Sequence, residues 1–234
     1  MVLKRVKSAY EVASENTWAR AGIQLIPVVG SALDVLLFDK AGKLKEQRAK
    51  DLISDLSAAY AKLEQTKIDH GYLSSEEYLE VFEKSLSQIT YRAEQVMRQA
   101  ITNGLVNITL ESFKSMDKPL LSSILSSLSS AKHIKLLLLC NEIQKTRDYR
   151  HINLSDLYKK IGTYGNKEEC NRVRNQLEYL TSFGLVDKEY DVEVDVSDIT
   201  YEGDASASGD ISATYSISKT GQDLLKYISE PSQE

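Results

Sequence analysis

From Val186 to Val196 the chain alternates between two kinds of side chain without a break. Val186, Lys188, Tyr190, Val192, Val194 and Val196 fall on one side, and Asp187, Glu189, Asp191, Glu193 and Asp195 on the other. An extended strand separates such an alternation onto two faces; a helix scatters it. Gly184-Leu185-Val186 opens the run. Tyr215-Ser216-Ile217-Ser218-Lys219-Thr220-Gly221 then leads from a returning strand into Leu224-Leu225 of a closing helix. The pattern therefore predicts a hairpin with helices on either side.

Three helices are predicted ahead of this hairpin. The first runs from Ala131 to Lys145, with Ile134, Leu137, Leu138 and Ile143 inside. A short second helix spans Asn153 to Gly162 and ends at the glycine. Thr163-Tyr164-Gly165 forms a turn. Asn166 with Glu169 caps a third helix that reaches Phe183, with Val173, Leu177 and Leu180 as its buried stripe. Gly184 is the stop.

The order helix, short helix, turn, helix, Gly-Leu-Val, hairpin, helix resembles the winged helix-turn-helix superfamily, which includes MarR- and PadR-type regulators and archaeal origin-binding proteins. Leu180, Gly184, Leu185, Val186, Tyr215, Ile217, Ser218, Gly221 and Leu224 carry the match, over about residues 131–230. The resemblance implies a DNA-binding domain with residues 166–182 as recognition helix. Lys167, Arg172, Arg174, Asn175 and Gln176 would then meet phosphates or base edges of double-stranded DNA. Lys159, Lys160, Arg147 and Arg150 would support the backbone. The same fold also serves as a protein-docking module.

Charge divides this half of the chain. Residues 131–182 carry ten Lys/Arg and six Asp/Glu, a local +4, whereas residues 185–212 carry nine acids and one lysine, a local -8. On the third helix Glu168, Glu169 and Glu178 offset the three basic residues. Phosphate would be repelled by an acidic wing. Asp187, Glu189, Asp191, Glu193 and Asp195 instead suit a basic protein partner, or guard a strand edge. Asp198, Glu202, Asp204 and Asp210 extend the acidity through the loop. Alternating strand acids lack the compact spacing of a calcium loop, so no metal is expected.

The fold class expected overall is mainly α. An N-terminal helical, coiled-coil-like domain over 1–128 precedes a winged helix-turn-helix domain with a two-stranded acidic wing over 129–234. Only 11 glycines and three prolines punctuate 234 residues, which favours long helices. Ala49, Leu52, Leu56, Ala59 and Leu63 form one heptad seam. Leu79, Phe82, Leu86, Ile89, Ala93, Val96 and Ala100 form another. His70-Gly71-Tyr72-Leu73 reads as the turn between them, and Ser74 with Glu77 as a capping box. A short link of this kind makes the two helices an antiparallel hairpin, available for dimerisation or sensing. Asn103-Gly104 reads as a helix end or kink. Pro119 suits the first turn of a connecting helix that carries Leu121, Ile124, Leu125 and Leu128.

Residues 2–20 read as a basic amphipathic helix. Residues 22–38, broken by Pro27 and Gly30, fall short of the roughly 20 residues a spanning helix needs. This segment faintly resembles uncharacterised bacterial proteins with an Ile-Pro-x-x-Gly-Ser element before a helical hairpin. Residues 1–38 leave membrane association as an alternative. Cys140 and Cys170, with no ligand-spaced neighbour, read as reduced cysteines of a cytoplasmic protein. His70, His133 and His151 are scattered, and no phosphate loop or nucleophile elbow is present. The chain thus reads as a non-enzyme without cofactor. A DNA-binding regulator that oligomerises with itself stands first. A docking module of a bacterial defence or stress assembly stands second.

Overall fold

A computed structural model of the protein describes residues 43–91, 94–147, 151–194 and 209–231. The expectations for residues 1–38, Arg150, Asp195, Asp198, Glu202 and Asp204 lie outside them. The described chain is mainly helical, with one small antiparallel sheet of three strands. It divides into two compact units, Met1–Ala131 together with Asp223–Glu234, and Lys132–Gln222.

The first unit is built from α1 (Lys43–Tyr60), α2 (His70–Leu73), α3 (Glu76–Tyr91), α4 (Gln95–Asn107) and α5 (Lys118–Ser127). On α1 the buried stripe is Ala49, Leu52, Leu56 and Tyr60. Ala59, expected in the seam, is only half-buried, because Tyr60 takes the inward position. The Tyr60 hydroxyl, at the end of α1, lies 3.3 Å from that of Tyr78 in the first turn of α3. It also lies 3.2 Å from Thr109 Oγ1. Arg98 of α4 pairs with Asp51 and Asp55 on α1, at 3.3 and 3.1 Å.

Four local expectations are corrected here. The seam from Leu79 to Ala100 does not belong to one helix: α3 ends at Tyr91, and Glu94 is extended at φ -72, ψ 118. From that position the Glu94 carboxylate accepts the Ala131 backbone N–H at 2.9 Å. His70–Leu73 is a helical turn, capped by Asp69, which accepts from the Tyr72 N–H at 2.9 Å. The cap of α3 is Ser75, whose hydroxyl accepts the Tyr78 N–H, while Ser74 bonds back to the His70 carbonyl. Asn103 and Gly104 sit in the buried interior of α4 rather than at its end. A side chain at Gly104 would run into the ring of Tyr227. α5 begins as expected, with Pro119 in its first turn and Asp117 accepting the Leu120 N–H at 3.0 Å.

The second unit holds α6 (Ala131–Arg147) from Lys132 on, β1 (Ile152–Asn153), α7 (Leu154–Ile161), α8 (Lys167–Ser182), β2 (Val186–Val194) and β3 (Gly209–Ile217). The closing helix α9 (Lys219–Ile228) starts in this unit and ends in the first. Strand order is β1-β3-β2, so the expected two-stranded hairpin is extended by a third strand. β1 pairs Ile152 with Tyr215, and two residues are too few to leave a periodic signal. Ile134, Leu137, Ile143, Leu157, Val173, Leu177, Leu180, Val186, Tyr215 and Ile217 form its core. Leu138 was expected inside but is 46% exposed, because Leu136 and Leu137 already fill the inward side of α6.

The joint between hairpin and closing helix explains the Ser218-x-x-Gly221 spacing. Ser218 Oγ donates to the Gly184 carbonyl and accepts the Gly221 N–H at 2.9 Å. Gly221 then lies so close to the Leu185 carbonyl that an added Cβ would collide with it. Gly184 adopts φ 65, a left-handed conformation that favours glycine.

Candidate nucleic-acid interface

The inner stripe of α8 is Val173, Leu177 and Leu180. Its outer face is open: Lys167, Arg172, Arg174 and Asn175 are exposed, and Gln176 is half-buried. Asn166 caps the helix by accepting the Glu169 N–H at 3.2 Å. Gly162 and Gly165, at φ 79 and 88, shape the turn that brings α7 to it.

The structure sorts the expected basic residues by their partners. Arg172 is held by Glu168 and Glu169 of its own helix, each at 2.5 Å. Lys160 is paired with Glu142 at 2.9 Å. Lys159 lies over the exposed ring of Tyr164 at 5.3 Å. Among the described residues, Lys159, Lys167 and Arg174 have no carboxylate within ion-pair distance. Arg147 is the last residue of α6, and the structure describes nothing of its side chain.

Alternation along β2 is visible in part. Val186 is buried, while Asp187 and Glu189 are exposed. Glu189 lies 3.7 Å from His151. Tyr190 shares the Val186 face yet is 63% exposed, so the core no longer covers the strand there. Asp191 and Glu193 lie on the β2 backbone at register positions opposite Ser212 and Asp210.

One cluster was not foreseen. Glu178 Oε1 accepts from Lys188 Nζ at 2.6 Å and from the Tyr215 hydroxyl at 2.9 Å. The two donors hold the Glu178 carboxyl below the usual carboxylate range. Glu178 in turn raises the Lys188 ammonium above the ordinary lysine range. Burial, with help from Glu178, pushes the Tyr215 phenol up to about 12. The residues are ten and 37 positions apart in sequence, so no local spacing announces the cluster. Lys188 sits directly opposite Tyr215 in the hairpin register, and that pairing is the one signal that a correct register would have supplied.

Beside this cluster opens a cleft of about 450 Å3. The start of α7 (Asn153, Leu154, Ser155) forms one wall and Arg174 of α8 another. Lys188, Tyr190, Ser212 and Tyr215 of the hairpin close the third. Asn153 occupies the cap position of α7 without a side-chain hydrogen bond to its first turn. The N–H groups of a first helical turn have no partner within the helix, and residues of this turn line the opening.

Among the described residues no group of three His, Cys, Asp or Glu is placed to hold a metal ion, and no helix is long and apolar enough to cross a membrane. Burial raises the Cys140 thiol to about 12, and Cys170 Sγ donates to the Thr163 carbonyl at 3.3 Å. No family model, curated protein or solved structure matches this chain.

Proposed function

We propose that the second unit is a winged helix-turn-helix domain and that the protein is a non-enzymatic, DNA-binding regulator. The order helix, strand, helix, helix, hairpin, helix supports the domain reading. One observation carries the functional one: α8 buries a single stripe and leaves the opposite face open, with Lys167, Arg174 and Asn175 on it. Lys159 adds a further cation at the end of α7. Such a helix has the width and polarity to enter a major groove while neighbouring cations meet phosphates. Arg172 takes a lesser part than its sequence position implied, because Glu168 and Glu169 already occupy both arms of its guanidinium. A gel-shift assay on intact protein with mixed-sequence duplex at low salt tests the reading. Retarded duplex is expected, with weaker retardation on joint replacement of Lys159, Lys167 and Arg174 by Gln. Free duplex at every protein concentration overturns it.

A second reading is supported by the exposed acids on β2, an edge strand of the sheet. Asp187 and Glu189 start an acidic row suited to a basic protein partner. Charge reversal at both positions should release whatever co-purifies from native lysate. An unchanged set of co-purifying proteins refutes this use of the hairpin.

A further inference from the structure

We propose that the cleft between α7, α8 and the hairpin is a phosphate-binding site, with Arg174 as its contacting cation and Lys188 as a positioning residue. The hairpin sorts its charges by face. Directly opposed residues in an antiparallel pair share a face. Lys188 and Tyr215 form one such pair, and Tyr190 and Ala213 the next on the same side; all four line the cleft. Asp187 and Glu189 occupy the alternate positions, opposite Ser216 and Thr214, and therefore point away from it. The acidity that turns phosphate away from one face of the hairpin is absent from these positions of the other.

Within the cleft the cations have different duties. Arg174 has no ion pair among the described residues, so its planar fork of donors is available to an oxyanion. Lys188 is tied to Glu178 and lies over the rings of Tyr190 and Tyr215, at 4.9 and 5.8 Å. It neutralises the Glu178 carboxylate and fixes the aromatic wall. Ser155 supplies a hydroxyl. The start of α7 adds backbone N–H groups and the positive end of a helix. At about 450 Å3 the cleft is roomier than a bare anion requires. It falls in the roughly 300–1,000 Å3 range of small-ligand pockets, so a phosphate still attached to its sugar fits. Such a group comes from a duplex backbone or from a free nucleotide or phosphate. The duplex source rests on the DNA-binding reading above; the cleft chemistry does not.

Full-length protein is titrated with inorganic phosphate and, separately, with a short mixed-sequence duplex. NMR follows the Ser155 amide and the Arg174 side-chain N–H, while anisotropy gives duplex affinity against salt. Arg174→Gln is compared with Lys84→Gln, an exposed position in the other unit. Saturable phosphate-induced shifts at both probes, lost in Arg174→Gln, support the site. A salt slope of log Kobs reduced by about one in that variant makes duplex the source. Phosphate shifts without any duplex binding keep the site and remove the DNA-binding reading. Duplex binding that is equal in the two variants, with Ser155 unmoved by phosphate, overturns the site and leaves DNA binding standing. Silence in both titrations overturns both.

Discussion

Replacing Asn107 tests how the C-terminal helix is held. The Asn107 side chain is 2% exposed, and its Nδ2 donates to the Tyr227 and Ser229 carbonyls, both at 2.9 Å, with a longer 3.3 Å contact to Lys226. Asn103 Nδ2 adds a 2.9 Å bond to the Ile228 carbonyl. The Tyr227 and Ile228 carbonyls belong to the last turn of α9 and that of Ser229 to the residue after it, where no helical N–H follows to satisfy them. Asn107→Ala leaves the Tyr227 carbonyl buried and unpaired, while the carbonyl of the exposed Ser229 regains water. One full desolvation penalty plus a fraction of a second gives a loss of about 2–3 kcal/mol. Asn107→Asp keeps the shape but sets a carboxylate against the negative end of α9, so the loss rises to about 3–5 kcal/mol at neutral pH. Burial beside carbonyls raises that introduced carboxyl above its unfolded value. Its extra penalty is then absent below the ordinary carboxylate range and grows as pH rises through it, until the folded-state pKa is passed. Urea unfolding followed by circular dichroism measures each step. Losses below about 0.5 kcal/mol for both variants, or a pH-independent gap between them, would refute the clamp.

Two further outcomes follow from the hairpin. Gly221→Ala forces a Cβ against the Leu185 carbonyl, a backbone atom that cannot rotate away. Overpacking of about 1–3 kcal/mol then competes with a helix-propensity gain of up to about 1, so thermal unfolding should show net destabilisation; a stabilised variant contradicts the joint described here. Glu178→Gln removes the charge shared by Lys188 and Tyr215, and the half-exposed setting discounts the loss to about 1 kcal/mol. Because the Glu178 carboxyl is depressed in the folded state, its contribution is present above the unfolded carboxylate value and fades as pH falls through the folded one. Wild type and Glu178→Gln should therefore converge in stability under acid, and curves that stay parallel to low pH count against the cluster.

Features written within a few residues were legible in advance. Asn166 and Pro119 open helices where their side chains dictate, and Gly162 and Gly184 close them in left-handed conformations. The inward residues Val173, Leu177 and Leu180 followed from spacing alone. What escaped depends on distant partners. The extended Glu94 interrupts a seam whose apolar spacing runs straight through it, and the partner of Glu94 lies 37 residues away. Gly104 looks like a helix breaker by propensity, yet the Tyr227 ring against it is the reason for glycine inside α4. At the candidate site the exposed positions of α8 were readable. Which cations remain unpaired was not, because Glu142, Glu168 and Glu169 choose theirs only in the fold.

The central question is whether the open face of α8 and the cations beside it meet DNA. Salt dependence of duplex binding by the intact protein tests this most directly. Lys159, Lys167 and Arg174 are the expected cations without ion pairs among the described residues. If each releases one phosphate counterion, log Kobs falls linearly with log salt at a slope of about -3, and replacing all three by Gln flattens it. Absence of binding at low salt, or binding whose slope survives the triple replacement, contradicts DNA binding through this face.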